Sequence, residues 1–517
     1  MEKEPMKKQT STIIALGAAV AVLGGGLIAL KVTDKSDDTS SSSASVQDTT
    51  SNDADLVLVE DSTVKVGSHT MEESHQHGVV KTVKVTNDSG SYKAVMESPA
   101  EGEKSAVYTI EGFEDLPVDK DMVSTLASNA NNLTSASIVE EKCSDFGKFG
   151  LADTAISVEI VYESGIAKTL YIGDVSPVSN QTYVRVDDDD TVYTITNGYA
   201  ANYHCKAEEF ISLTMLEEPP QESYPKVNSL RIERKDIDYD IFIEYDSTTD
   251  EKNSGGSSAK HVMKEPMEAL LAVERSNAIT NGMFGLAAKK VKAYHCNDSD
   301  IEAAGLKEPF CRATMKCDDG NEYVLLMSEP FTEDGAKLSN AMFEGANVIY
   351  TVDTEKAQWA TVKPVDIASR MMVSSFVWNV SELTAEADGV SEKFEISMKD
   401  SSMKTNEAKT EDVNVKRGGS DFDAERYRQF FSYLVNAYAE EFAINEPKPS
   451  GEPMAVIKIK DSFRNNETTF EFYDYSVMKS LIVVNGEPKF FSSKTYVDDL
   501  IENIRRIGSG EDFKNVS

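Results

Sequence analysis

The sequence predicts an α+β fold: an N-terminal transmembrane helix followed by tandem repeated units, each a helix packed on an antiparallel β-meander. Three observations lead there. A single uncharged apolar run, residues 13–30, stands near the N-terminus. A short stretch, Asp145-Phe146-Gly147-Lys148-Phe149-Gly150-Leu151, returns about 155 residues later as Asp300-Ile301-Glu302-Ala303-Ala304-Gly305-Leu306, then Lys307-Glu308-Pro309. Around each copy, apolar residues at helical spacing come before and alternating residues come after.

Residues 1–11 form a cytoplasmic N-terminus and 12–31 the membrane helix. Lys3, Lys7 and Lys8 precede the run, whereas Lys31 and Lys35 follow it among Asp34, Asp37 and Asp38, so the basic excess favours N-terminus inside and the bulk of the chain outside. The run exceeds the apolar core of a cleaved signal peptide, no Ala-x-Ala site ends it, and no cysteine lies nearby for a lipid anchor. It reads as an uncleaved, single-pass anchor. Gly17, Ala21, Gly25 and Ala29 recur every fourth residue, a stripe of small side chains along which another membrane helix can approach.

Residues 32–55, almost wholly Ser, Thr and Asp, form a solvated tether. The chain of 517 residues carries 52 Lys and Arg against 88 Asp and Glu, a net charge of −36. So acidic a surface repels nucleic acid and anionic head groups, which excludes nucleic-acid binding as a main function.

The first unit is placed at 56–218. Asp119 caps a helix with Met122, Val123, Leu126, Ala127, Ala130 and Leu133 at helical spacing, and strands follow at 156–162, 169–172, 182–186 and 191–195. The second, 219–365, opens with strands at 228–233 and 239–244 and crosses a polar loop at Gly255-Gly256. It enters a helix at Pro266, whose buried face is Met267, Leu270, Leu271, Val273 and Ala278. Strands follow at 311–317, 323–327 and 348–352. Tyr193 lies 42 residues after Leu151 and Tyr350 lies 44 after Leu306, so the copies keep step. A third, diverged unit, 366–517, lacks the Gly-Leu marker. It has strands at 393–398 and 413–416, a helix from 421 to 442, strands at 454–460, 468–473 and 481–484, and a closing amphipathic helix through Tyr496, Leu500 and Ile504.

The chemistry-bearing residues point away from catalysis. Gly-x-Ser-x-Gly, a phosphate-cradling loop, His-Glu-x-x-His and Cys-x-x-Cys are all absent from the sequence, and the Ser-x-x-Lys matches at 257, 401 and 476 are what a Ser-rich chain produces. No cofactor is expected. Two segments are candidate metal ligands: His69, His75 and His77, close enough to share a transition metal, and Asp187, Asp188, Asp189 and Asp190, carboxylates suited to calcium. The competing readings are a polar loop and an exposed hairpin turn, and both are preferred. Among five cysteines, Cys143 and Cys205 are the preferred disulfide pair in an oxidising compartment, whereas Cys311 and Cys317 lie too far apart along one strand to bridge.

An anchor, a polar tether, and units with a helix, a Gly-Leu(-x-x-Pro) step at Gly150-Leu151 and Gly305-Leu306 with Pro309, and a Gly-punctuated meander resemble the family called domain of unknown function 4340. The resemblance covers most of 56–218 and, more loosely, 223–365; the first copy departs from it at Ala152-Asp153-Thr154, where a proline is usual. It implies a bacterial envelope protein without catalytic residues, in an accessory role beside ABC transporters. The expected function is therefore that of a membrane-anchored extracytoplasmic accessory or scaffold protein in contact with an ABC transporter permease. The alternative is a cell-surface binding module for a small ligand, a divalent cation or a wall polymer.

Overall fold

Alternation of buried and exposed residues governs the chain. The computed structural model describes residues 64–515 apart from 73, 102–104, 153–155, 250–257 and 437. The expected anchor at 12–31, with Gly17, Ala21, Gly25 and Ala29, and the tether at 32–55 lie outside the described residues. Among the described residues no helix is long and apolar enough to cross a membrane.

The first sheet is built from β1 (Lys65–Thr70), β2 (Val80–Asn87), β3 (Gly90–Ser98), β4 (Val107–Ile110), α1 (Lys120–Asn131), β5 (Thr134–Glu140), β6 (Ile156–Tyr162), β7 (Ala167–Val175), β8 (Thr182–Val186) and β9 (Val192–Ile195). Its nine strands lie in the order β1-β5-β9-β8-β7-β6-β2-β3-β4. The chain thus lays a leading meander, crosses by a helix, places one strand at the far side and returns through a four-stranded meander. The first strand of that meander pairs with the first of the leading one, Val83 opposite Ile160 and Val85 opposite Val158.

The same course is taken twice more. The second sheet contains β10 (Val227–Arg234), β11 (Ile241–Tyr245), β12 (Ser258–Glu265), β13 (Ala269–Ala272), α2 (Val273–Thr280), β14 (Lys290–Tyr294), α3 (Asp298–Ala303), β15 (Cys311–Cys317), β16 (Glu322–Met327), β17 (Phe331–Glu333), β18 (Ala336–Phe343) and β19 (Val348–Asp353). The third contains β20 (Val380–Ala387), β21 (Val390–Met398), β22 (Val413–Arg417), β23 (Ser420–Phe422), α4 (Ala424–Val435), β24 (Glu441–Phe442), β25 (Ala455–Asp461), β26 (Asn466–Asp474), β27 (Lys479–Val484), β28 (Glu487–Ser493) and α5 (Lys494–Ser509). Their orders, β13-β12-β11-β10-β15-β16-β18-β19-β14 and β23-β22-β21-β20-β25-β26-β27-β28-β24, repeat the first from β4 to β5 with one strand added at the leading edge.

A β-bulge marks the same place in each. The register shifts between Val80 and Thr82, between Val227 and Ser229, and between Val380 and Glu382. The extra residue brings Val80 and Val83 to one buried face although they are three apart, and likewise Val227 with Leu230 and Val380 with Leu383.

The expected α+β arrangement of a helix laid on a meander is therefore corrected. The described residues form three large antiparallel sheets, and only α1, α2, α4 and α5 among their helices reach eight residues. The helix expected from Pro266 is the clearest case: Ala269–Ala272 is a strand paired with β12, and α2 begins only at Val273. Met267, Leu270 and Leu271 form too short an apolar run to tell a period of 3.6 from a period of 2, and pairing with β12 decides it.

Each helix covers one face of its sheet. Asp119 caps α1 by accepting the Met122 N–H at 2.9 Å, and α1 turns Val123, Leu126, Ala127 and Ala130 onto β2, β3 and β4. Full burial of Leu126 alone contributes about 2 kcal/mol. Tyr162 of β6 ties the helix down, its hydroxyl donating to the Ala130 carbonyl at 3.0 Å. In the third unit α5 packs on β20, β21, β27 and β28, and Tyr433 of α4 stacks on Tyr496 of α5 with centroids 5.2 Å apart.

The units are joined by backbone as well as by apolar contact. Thr214 bridges Ala287, and the Tyr350 hydroxyl donates to the Ser212 carbonyl at 3.0 Å. Farther along, Leu271 bridges Ala368, and the Ala439 N–H donates to the Arg370 carbonyl at 2.8 Å. One apolar cluster runs from Val83 through Leu230 and Trp359 to Phe394 and Ile504.

Candidate functional site

The repeated Gly-Leu step is a helix terminator. In the first copy the Leu151 N–H donates to the Phe146 carbonyl and the Gly150 N–H to that of Gly147; in the second, Leu306 donates to Ile301 and Gly305 to Glu302. This six-to-one and five-to-two pairing needs a left-handed residue at the glycine, and Gly150 and Gly305 have φ of 68° and 75°. Leu151 and Leu306 are buried behind the turn. Pro309 follows between that turn and β15.

The two candidate metal segments meet, but as an ion-pair chain. His77 Nε2 lies 3.1 Å from Glu72 Oε1, and the other oxygen of Glu72 lies 2.9 Å from Lys168 Nζ, which reaches Asp187 Oδ2 at 3.2 Å. The His77 ring also packs on Tyr162 at 5.4 Å. His69 turns elsewhere, its Nε2 3.1 Å from the Lys65 carbonyl, and of the His75 side chain nothing is described.

Asp187, Asp188, Asp189 and Asp190 form the β8–β9 turn. Asp187 Oδ1 accepts the Thr169 N–H at 2.7 Å and Asp189 Oδ1 that of Thr191 at 2.9 Å, so these carboxylates serve the backbone. Among the described residues no group of three or more His, Cys, Asp or Glu is placed to hold a metal ion.

Burial raises the Glu72 carboxyl, but hydrogen bonds from Lys168 and His77 outweigh it and hold the group below its ordinary 4.5. A depressed carboxylate contributes stability above its unfolded value, lost as pH falls through the folded one. Glu72→Gln is expected to destabilise at pH above the ordinary carboxylate value and to converge on the parent as pH falls through the lowered folded-state value, followed as urea midpoints. A gap that stays constant across that range would remove Glu72 as the titrating group.

All five cysteines are unpaired, which corrects the expected Cys143–Cys205 bridge. Cys143 is buried with Phe149, Leu151 and Val192, whereas the Cys205 thiol donates to the Ala201 carbonyl. Burial pushes the thiols of Cys143 and Cys296 up, those of Cys205 and Cys317 to about 11 and that of Cys311 to about 12. Such groups stay protonated and are not poised as nucleophiles.

Two surface features have no counterpart in the sequence reading. The β7–β8 and β26–β27 hairpins share a tip: Asp174-Val175-Ser176-Pro177-Val178 in one, Asp474-Tyr475-Ser476-Val477-Met478 in the other. Ser176 Oγ accepts the Ser179 N–H at 3.3 Å and Ser476 Oγ that of Lys479 at 3.1 Å, closing each turn from inside. The apolar residues are left outward, Val178 88%, Val477 89% and Met478 74% exposed.

The second is a cavity of about 290 Å³ where the second and third units meet. Met267 walls it from the β12–β13 connection, Leu270 from β13, Met371, Met372 and Ser374 from the linker, and Ile459, Arg464 and Phe470 from β25, β26 and their turn. Arg464 is its distinctive group. Nη1 lies 2.9 Å from Ser374 Oγ and Nη2 3.2 Å from the Ser374 carbonyl, while Nε is buried without a partner. Burial lowers the guanidinium's proton affinity, and Asp461 nearby offsets this only in part. Asp461 Oδ1 is already taken by the Phe463 and Arg464 N–H groups. Nothing in the local sequence marks Arg464, because the walls come from segments some 200 residues apart.

By fold, then, this is an antiparallel β protein that repeats one strand order three times. Residues 109–309 match the family described as Domain of unknown function (DUF4340), so the chain carries that domain. The match enters in β4, before α1, and ends at Pro309, just past the second Gly-Leu turn. It thus takes in parts of two sheets and starts well after residue 56. No curated protein and no solved structure matches the chain.

Proposed function

We propose that this chain is a non-catalytic accessory or scaffold protein of the cell envelope. Its apolar N-terminal run holds it to the membrane, the bulk is extracytoplasmic, and it acts by contact with a membrane complex of the ABC-transporter type. The observation that carries the reading is the pair of matching hairpin tips. Three large exposed apolar side chains on tight, serine-closed turns lose free energy in water, and such groups mark contact surfaces. That the same pattern, Asp-apolar-Ser-x-apolar, stands at the same place in the first and third sheets supports a shared use.

The test is site-directed photo-cross-linking in native membranes from Val178 and Val477, with products identified by mass spectrometry. Cross-links to one polytopic permease are expected. Val178→Asp with Val477→Asp and Met478→Asp should reduce its co-purification by about tenfold or more. Unchanged co-purification, or cross-links spread over unrelated proteins, would end the contact reading.

A further inference from the structure

We infer that the cavity around Arg464 binds a small carboxylate with an apolar tail, the carboxylate on the guanidinium and the tail against Met267, Met371, Met372 and Phe470. Half-buried cations are normally paired, and this chain holds 88 carboxylates for 52 basic side chains. Even so, among the described residues none lies within ion-pair distance of Arg464, whose side-chain partners are the hydroxyl and carbonyl of Ser374. Asp461 is near enough to favour the charged form; its Oδ1 accepts the Phe463 and Arg464 N–H groups, and its Oδ2 is buried without a hydrogen-bond partner, beyond ion-pair distance of the guanidinium. A guanidinium fork is matched in shape and charge by a carboxylate.

The walls select what carries that carboxylate. Three methionines and two phenylalanines make an adaptable apolar part of the lining, and its other charged members are already paired, Glu268 with Lys264 at 3.3 Å and Lys489 with Glu487 at 3.0 Å. A second cavity of about 410 Å³ lies along the same linker and shares Met371, Ser374 and Ser375, with Trp378 and Phe431 beyond. A volume near 300 Å³ is the lower end for small-molecule sites, so the ligand is small, with room for its tail to lengthen toward the second cavity. The site is separate from the β26–β27 tip, since Asn485 in its wall follows the opposite end of β27. Loss of ligand binding would therefore leave the cross-linking result standing.

The experiment is calorimetry on the full chain with straight-chain carboxylates of about six to twelve carbons and with alkylammonium ions of equal length. Saturable carboxylate binding is expected, tightening about fourfold per added methylene until the tail space is filled. Alkylammonium should bind at least about tenfold more weakly, and Arg464→Gln should lose about tenfold for the carboxylate alone. Met372→Trp, which fills the cavity and keeps the cation, should abolish binding. No saturable heat from any carboxylate, or equal affinity for the two head groups, would overturn the assignment. The head-group comparison decides on the parent protein even if Arg464→Gln fails to fold.

Discussion

Gly173→Ala is expected to destabilise the first unit by about 3 kcal/mol, the upper end for forcing an atom into a filled site. A Cβ at Gly173 would lie 2.2 Å from the Phe149 carbonyl oxygen and 2.9 Å from Leu151 Cγ. Neither can retreat, because Phe149 belongs to the turn held by the Leu151 and Gly150 hydrogen bonds and Leu151 is fully buried. Gly150, across the same contact, is constrained twice: its φ is 68°, and a Cβ would meet Asp174 Cγ at 2.6 Å and the Asp174 backbone nitrogen at 2.7 Å. The second copy is looser, since a Cβ on Gly305 would find Ser328 Cβ at 3.4 Å. Gly305→Ala should then cost only its left-handed backbone, about 1 kcal/mol. Urea unfolding with hydrogen exchange, read at β6 and β7 for the first copy and at β15 and β16 for the second, should order the losses as Gly173→Ala and Gly150→Ala well above Gly305→Ala. Equal losses at Gly150 and Gly305 would mean that approach to β7 plays no part.

Where the sequence was legible, one period ran unbroken. The returning strands at 156–195 and 455–484 and the helix behind Asp119 have apolar residues at regular spacing, and they fold accordingly, whereas the last strand, β28, was not legible. The leading meander of the first unit, β2 to β4, escaped that reading. Val80, Val83 and Val85 break the two-residue period because a bulge falls between the first two. The same Val-x-x-apolar-x-apolar spacing recurs at Val227, Leu230 and Ile232 and at Val380, Leu383 and Ala385, a repeat as regular as the Gly-Leu step. Its consequence is the fold class itself, since those three strands and their neighbours turn a helix-on-meander unit into a wide sheet.

The candidate site was less legible, for a different reason. His77 and Asp187 stand out by type and clustering, but Glu72 and Lys168, which join them and decide that they form an ion-pair chain, are ordinary charged residues in sequence. Arg464 follows a strand in a polar turn, where one expects a solvated side chain. Only the arrival of Ser374 and the linker from the preceding unit buries it. Signals of that kind lie in tertiary approach, which no local period encodes.

Trp359→Ala is expected to cost about 4 kcal/mol, the range for emptying a buried aromatic site. Trp359 is fully buried in the turn Gln358–Ala360 that follows β19, and its indole Nε1–H donates to the Ile279 carbonyl at 3.1 Å. Ile279 lies in the last turn of α2, where carbonyls have no partner within the helix, so the indole caps a helix end inside the core. Trp359→Phe keeps most of the volume and removes the donor, and should cost about 1–3 kcal/mol for the carbonyl left unsatisfied. Trp378 is the other tryptophan of the chain, so fluorescence of either variant reports the third unit alone while circular dichroism reports the whole. The two should unfold at different urea concentrations, the second unit first. The loss should also reach the cavity, because α2 continues directly from β13, where Leu271 bridges Ala368 and the Leu270 carbonyl accepts the Ser369 N–H. Trp359→Ala is therefore expected to weaken carboxylate binding at Arg464 without touching a lining residue, and a variant that loses stability but keeps full affinity would show that the linker holds its place without α2.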